Sequence, residues 1–204
     1  LPLRALYGVL LVVVLAMGLP YSVLGAYSRA MVETGRVDNP MQSPLTLDGG
    51  STLASLNDYQ AITCLAERVE GDDMVIAEAI GPAYRHQYGR VGVLTGMPIV
   101  LGWEGHQRQW RGATYPAIAG TRRLDIETLY NEVRWEEAAQ IIRRYDIDYI
   151  FYGDTERNGT GLQSGYDPAG EAKFIENLEP ICQFGNSLFY RVTPRAISVV
   201  GAIP

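Results

Sequence analysis

The chain has 204 residues, of which 47% are hydrophobic and 20% charged, and its net charge is −6. That length carries one folded domain with residues to spare, and the composition is that of a globular protein. The 17 basic residues form no stripe, which excludes a broad nucleic-acid footprint; no nucleic-acid partner is expected.

Residues 5–28, ALYGVLLVVVLAMGLPYSVLGAYS, carry no charge and lie between Arg4 and Arg29. About 20 apolar residues suffice for a bilayer-spanning helix. Gly18 and Pro20 would kink such a helix, which membrane proteins tolerate. A cleaved signal peptide fits less well, because the run is long and Leu24-Gly25-Ala26 is a poor cleavage site. The uncharged length argues against a buried helix of a soluble protein. With Leu1 rather than Met at its start, the chain reads as the last transmembrane helix (1–29) of a longer protein. Residues 30–53, broken by Pro40, Pro44, Gly49 and Gly50, read as a linker. Residues 54–204 then form a water-exposed domain.

Within that domain the pattern predicts a helix over 55–69. Ser55 with Asp58 makes a capping start, and Tyr59, Ile62, Leu65, Ala66 and Val69 share a face. Gly71-Asp72-Asp73 turns the chain into a strand at 74–77 that ends at Glu78. Residues 90–94 and 99–101 are two further strand candidates. A helical turn is expected over 104–111, an irregular loop over 112–124, and a short helix from Asp125 to Tyr130. Trp135, Ala138, Ala139 and Ile142 predict a helix over 135–145. The run DYIFYG at 148–153 suits a central strand buried on both faces. A polar loop over 154–167 and a helix over 170–178 follow. Residues 181–184 and 187–192 then make a β-hairpin through Gly185-Asn186. The fold class is therefore α/β: a three-layer, mostly parallel small sheet with flanking helices and a C-terminal β-hairpin. Cys64 and Cys182 lie far apart and make no metal-ligand spacing. One disulfide is open to them if the domain is exported, but two buried free thiols are the preferred reading.

The segment 95–112, TGMPIVLGWEGHQRQWRG, holds two of the three tryptophans, Trp103 and Trp110, with His106, Arg108 and Arg111. Flat apolar faces beside fixed donors suit a sugar or a phosphate. The same residues also suit a wedge packed on a neighbouring domain. Glu78 ends a strand, where α/β sheets place ligands, but it is equally placed to pair with Arg85 or Arg90. His106 offers a general base, a ligand contact or a plain hydrogen-bonded histidine. A metal site is not expected, since only His86 accompanies it. Arg111 and Arg123 with Asp125 would clamp a phosphate, or else pin the 112–124 loop by ion pairs. Glu156-Arg157, beyond the central strand, are placed to join that cluster. Asn158-Gly159-Thr160 is a formal glycosylation sequon. Hydrolase and nucleotide-binding fingerprints are absent.

Several strings carry a resemblance. They are DGG (48–50), DYQAI (58–62), VIAEAIGPAY (75–84), GRVGVLTGMPIVLGWEGHQRQWRG (89–112), RRLDIETLY (122–130) and RRYDIDYIFYGDTER (143–157), with KF (173–174). Over nearly its whole length the chain resembles the C-terminal region of the "YYY" family of prokaryotic multi-pass membrane proteins. That family is distantly similar to membrane glycosyltransferases that use lipid-linked sugars, the GT-C superfamily. Two positions depart from the family pattern. Gln107 stands where the family has an acid, which weakens a metal or general-base role there, and Cys64 where it has an aromatic.

The resemblance implies an α/β domain on the extracytoplasmic side of the plasma membrane, attached to a multi-pass, glycosyltransferase-like body. Its partners would be the membrane, that upstream body, and a glycan or polyprenyl-phosphate sugar. The catalytic acid of such a parent lies in an early outer loop, so this stretch is not expected to be catalytic by itself. No cofactor is expected in it, although the parent would use a lipid-phosphate sugar donor. The site expected is ligand-binding: Glu78, Trp103, His106, Trp110, Arg111, Arg123 and Asp125. The alternative is a non-catalytic structural or interaction cap built from the same residues. A membrane-anchored hydrolase using Glu78 and His106 is a third reading.

Overall fold

A computed structural model describes residues 2–33, 36–38, 49–50, 54–69, 73–161 and 163–198. Most of the expected linker, and the turn at Gly71-Asp72, lie outside the described residues. The chain divides into two compact units, Leu1–Asp48 and Gly49–Pro204.

The first unit contains helix α1, Leu3–Tyr27, which runs on through a π-helical turn at Ser28–Val32. The continuous helix of 30 residues contains an 18-residue stretch with a mean hydropathy of 2.3 and is long and apolar enough to cross a membrane. Pro20 lies inside it. Arg29 and Glu33, one turn apart, pair at 2.7 Å at its polar end.

The second unit is a three-layer α/β domain. Its sheet contains β1 (Val75–Ala77), β2 (Ile147–Tyr152), β3 (Glu179–Phe184) and β4 (Ser187–Arg191), in the order β1-β2-β4-β3. Strand β2 is central, as its apolar run predicts, and pairs parallel with β1. The expected hairpin forms from β3 and β4 and adds to β2 antiparallel, so the sheet is mixed rather than mostly parallel. A two-residue turn can only return a chain antiparallel, and that hairpin supplies half the strands.

Alternation along β2 and β4 sends side chains to two cores. Ile150, Tyr152, Leu188 and Tyr190 enter one, where they meet Ile126, Leu129, Tyr130, Ile142 and Phe174. These come from α6 (Arg122–Asn131), α7 (Trp135–Arg144) and α9 (Ala172–Asn177). Phe151 and Phe189 enter the other, against Ala61, Ile62 and Leu65 of α2 (Leu56–Arg68) and Val91 of α3 (Arg90–Thr95). Helix α2 starts as its sequence predicts: the Ser55 hydroxyl accepts from the Asp58 amide at 3.3 Å, and Asp58, Ala61, Ile62 and Leu65 are buried on one face.

Four expectations are corrected. Residues 90–94 are not a strand but helix α3. It is bounded by Gly89 and Gly96, both left-handed at φ 74° and 75°. Its first amides, which lack partners within the helix, are taken by Glu78, 13 positions or more upstream, a partner no local pattern reveals. Of 99–101 only Ile99 bridges β1, in parallel with Ile76; Ile76 donates to Pro98 O at 2.9 Å and accepts from Val100 N at 3.1 Å. The 112–124 loop is largely helical. A 3-10 turn at Gly112–Thr114 and α5 (Tyr115–Ala119) precede α6, which begins at Arg122 rather than at Asp125. The 154–167 loop likewise opens with α8, Asp154–Asn158. The remaining helices are α4, Glu104–Arg111, and α10, Pro194–Ser198.

The preferred free-thiol reading is overturned as well. Cys64 of α2 and Cys182 of β3 form a disulfide, with their Cα atoms 5.6 Å apart. Both belong to the same core, where α2 packs over the hairpin. A sequence separation of 118 conceals that neighbourhood.

Candidate functional site

Two constellations concentrate the chemistry of the domain. The first is buried. Arg90, only 2% exposed, opens α3 and points its guanidinium at three carboxylates brought from three parts of the chain. Its Nε donates to Asp58 Oδ2 at 3.0 Å and its Nη2 to Glu156 Oε2 at 2.5 Å, while Nη1 lies 3.6 Å from Glu78 Oε2 and donates to Gln87 O at 2.7 Å. The carboxylates have further donors. Asp58 Oδ1 accepts from Ser187 Oγ and the Asp154 amide, Glu156 from the amides of Ala79 and Gly153, and Glu78 from those of Val91 and Gly92. Gly153 is required here, because a Cβ on it would stand 2.4 Å from Asp58 Oδ1.

The cluster ties α2, β1, α3, β2, α8 and β4 together where the parallel strands end. Its hydrogen bonding is internal, and it is a structural knot. One cation against three carboxylates leaves excess negative charge in a dry place. Burial therefore drives the Glu78 carboxyl up from 4.5 to about 7; Arg90 opposes the shift and neighbouring Glu156 adds to it.

That raised value has a measurable consequence. Glu78 binds its proton more tightly in the folded chain than in the unfolded one. Its contribution is therefore fully present below about pH 4.5 and is lost as pH rises through about 7. The shift corresponds to about 3 kcal/mol across that window. Glu78→Gln keeps one of the two acceptors for α3, a cost that is the same at every pH, but cannot ionise. Urea unfolding at pH 5 and pH 8 is expected to show the variant gaining on the wild type by about that amount at the higher pH. Parallel pH profiles for the two proteins would show that Glu78 does not hold the proton.

The second constellation is at the surface and is built from the segment that stands out in the sequence. Helix α4 buries none of its residues, and eight residues are too few to hold a helix by themselves. A ladder of rings supports it. Trp103 just before it, His106 and Trp110 within it, and Tyr84 from the loop after β1 lie with successive centroids 5.5–6.3 Å apart. Tyr84 adopts φ 62°, a left-handed conformation uncommon for a bulky side chain.

A directed chain of hydrogen bonds runs through the ladder. Trp110 Nε1 donates to His106 Nε2 at 2.7 Å, so Nδ1 carries the ring proton and donates to Tyr84 Oη at 3.2 Å. Tyr84 Oη donates in turn to Gln109 Oε1 at 2.8 Å. Both nitrogens of His106 are thereby engaged, and the ring could act as a base only by releasing Trp110. Trp103 spends its indole N–H on Tyr88 O at 2.7 Å and keeps an apolar face.

Trp103, His106 and Gln107 form one wall of a shallow recess of about 300 Å³. Its floor is made by Gly89, Gly92 and Ile99. The glycines open it: a Cβ on Gly92 would already meet Ile99 at 3.1 Å. The recess is mostly apolar, and His106 and Gln107 are the polar side chains of its lining.

The expected site residues are thus partly brought together and partly separated. Trp103, His106 and Trp110 share the ladder, and Arg111 joins its edge by donating to Gln107 Oε1 at 2.7 Å. Glu78 lies in the buried knot behind α3. Arg123 is engaged by Glu104 and by Glu127, the latter at 3.2 Å. Asp125 accepts from Tyr145, from Thr121 at 2.8 Å and from Arg144 at 3.0 Å. Burial alone would raise the Asp125 carboxyl; those hydrogen bonds outweigh it and hold the group below its usual range. Arg123 and Asp125 therefore pin the 112–124 region and do not form a clamp with Arg111. Arg157 pairs with Glu171 and not with the Glu156 beside it. Among the described residues no group of three or more His, Cys, Asp or Glu side chains is arranged to hold a metal. Tyr84, the outer rung of the ladder, entered the sequence reading only as the last residue of the string VIAEAIGPAY and was assigned no role.

No protein-family model and no curated protein matches the chain. Among solved structures it is similar to the C-terminal globular domain of an oligosaccharyltransferase from Archaeoglobus fulgidus. The TM-score is 0.41 and the identity 11%, and the alignment covers 74% of this chain and 100% of that one.

Proposed function

We propose that this chain is the extracytoplasmic C-terminal domain of a membrane-embedded, glycosyltransferase-like protein, and that the Trp103 recess helps to bind its lipid-phosphate sugar donor. The observation that carries the reading is the character of the recess: a mostly apolar, glycine-opened lining beside Trp103, whose indole N–H is spent on Tyr88, with His106 and Gln107 as its polar side chains. An apolar lining suits the hydrocarbon next to the phosphate, and Gln107 in that lining, with Arg111 held on its Oε1, suits the phosphate itself. A free polar acceptor would leave that floor unused. The Cys64–Cys182 disulfide supports the compartment, because such bonds persist outside the reducing cytosol, and α1 supports attachment to a membrane. The catalytic acid belongs to the parent protein in this reading, and the recess positions a substrate.

Gly102 lines the recess, and a Cβ there makes only ordinary contacts, at 3.8 Å from Gln107 and 3.9 Å from Ile99. Gly102→Leu is therefore expected to fill the recess without unfolding the domain. Titration of the full chain with a short-chain polyprenyl phosphosugar is expected to show about tenfold weaker binding in this variant, roughly the 1.4 kcal/mol of one displaced contact. The soluble sugar alone should bind neither form measurably. Equal affinity in wild type and variant would remove the recess from the reading.

The second reading, an interaction cap, draws on the exposure of Trp110, 77% open to solvent. It expects Gly102→Leu to have no effect on donor binding, while His106 and Arg111 substitutions in the parent disturb its assembly.

A further inference from the structure

The sheet opens a cleft where its two parallel strands end. Helix α3, the first after β1, packs on one face of the sheet, whereas the chain leaving β2 runs through α8 to α9 on the other. In α/β folds such a divergence between parallel neighbours leaves a crevice at the strand ends, where ligands bind. Here the cleft measures about 460 Å³, within the range of small-molecule sites, and Asp58 and Arg90 of the knot line it together with Gln87, Asp154, Thr155 and Asn158. Several polar groups of this lining are uncommitted. Thr155 is only 7% exposed, yet its hydroxyl has no hydrogen-bond partner among the described residues. A buried hydroxyl in that state calls for a ligand or a water. Half-buried Asp154 gives its amide to Asp58 Oδ1, but its carboxylate has neither a hydrogen bond nor an ion pair among the described residues. The side-chain amides of Gln87 and Asn158 are likewise unengaged among them.

We infer that this cleft binds a primary ammonium group, with Asp154 as its counter-ion and Thr155 Oγ1 and the amide oxygen of Gln87 or Asn158 as further acceptors. An ammonium brings three N–H donors and no acceptor, so it needs a set of this kind. Charge selects the same ligand. Arg90 is the one guanidinium of the lining and already faces Asp58 and Glu156, so the carboxylate of Asp154 is left without a cation. An anion would meet that carboxylate and find the local amides occupied. Those of Val91, Gly92, Gly153 and Asp154 all donate to carboxylates of the knot. The ligand therefore differs in sign from the lipid-phosphate sugar of the recess, and neither site depends on the other. Two sources carry the chemistry, a lysine side chain and a small hydroxylated amine.

The test titrates the full chain, in an uncharged detergent, with Nα-acetyllysinamide and with ethanolamine, followed by saturation-transfer NMR. At about pH 8 both amines are charged and histidine is neutral. The wild type is expected to bind at least one of them with a Kd on the order of 1 mM, and less tightly as salt is raised. Binding of the first alone assigns the cleft to a lysine side chain, of the second alone to a small amine, and of both to any primary ammonium. The ε-acetylated derivative of the first probe, which has lost the charge, should not bind. Asp154→Asn should weaken binding about tenfold and Thr155→Val about threefold. Each replacement keeps the shape of the side chain, so circular dichroism should match the wild type. The proposal is overturned if neither amine binds up to about 50 mM, or if the acetylated derivative binds as well as its parent. It is also overturned if both variants keep wild-type affinity. Gly102→Leu should leave amine binding unchanged; its loss there would move the ligand to the recess and overturn the cleft.

Discussion

Arg90→Met is expected to be the most damaging single substitution in the domain, lowering its unfolding free energy by about 3–5 kcal/mol at neutral pH. The size follows from what remains behind. Methionine fills much of the same volume, so the loss is not a cavity. Asp58, Glu78 and Glu156 would be left buried together with no cation. At about 3 Å each contact with Arg90 is worth roughly 5 kcal/mol at an effective dielectric of 20, and desolvation of each ion takes back several. The intact knot is therefore nearly balanced, and its stabilising effect lies in the partner that cannot be removed.

Two further measurements separate this cause from simple misfit. Stability of the Arg90→Met protein should recover in part as pH is lowered through the raised range of Glu78, because its protonation removes one of the buried charges. Adding Asp58→Asn and Glu156→Gln should restore part of the loss at neutral pH. Urea midpoints for Arg90→Met within about 1 kcal/mol of the wild type, the scale of an exposed pair, would mean that Arg90 does not offset the buried carboxylates.

The second large effect is expected from the disulfide. Joining Cys64 to Cys182 closes a loop across 118 positions, which restricts the unfolded chain. On the loop-entropy account such a bond is worth up to about 5 kcal/mol, and native bonds of this kind typically contribute about 2–5. Cys64→Ala with Cys182→Ala is expected to unfold at correspondingly lower denaturant. A reducing agent should bring the wild type to the same midpoint. If reduction left the wild type unchanged, the two cysteines would be free thiols. The argument for an oxidising compartment would then fall with the bond.

The parts of the fold legible in the sequence are those set by local periodicity. Ser55 and the spacing Ile62, Leu65 give α2; the apolar run at 148–153 gives a central β2; Gly185-Asn186 gives the hairpin. Each depends on residues within about ten positions of one another. The region 90–101 misled because its apolar residues fit a short strand as well as a short helix. The choice between them rests on Glu78, which caps α3 from outside the segment.

The candidate site divides in the same way. Trp103, His106 and Trp110 are neighbours in sequence and remain neighbours on α4, so their grouping was readable. That His106 is locked between Trp110 and Tyr84, and so is a poor base, depends on a tyrosine 22 positions away. The proposed clamp of Arg111, Arg123 and Asp125 dissolved because each charge has a nearer partner, and nearness across helices leaves no trace in spacing.

The sequence by itself determined the apolar span, the three-layer α/β class, the central strand and the aromatic, arginine-rich segment, since composition and periodicity act through neighbouring residues. Tertiary structure alone decided the fate of the charges and of the cysteines. Asp58, Glu78, Arg90 and Glu156 meet only where β1 and β2 end side by side, and Cys64 meets Cys182 only where α2 crosses the hairpin. Burial then makes those encounters strong: charges that water would screen on a surface must be paired or protonated in the core.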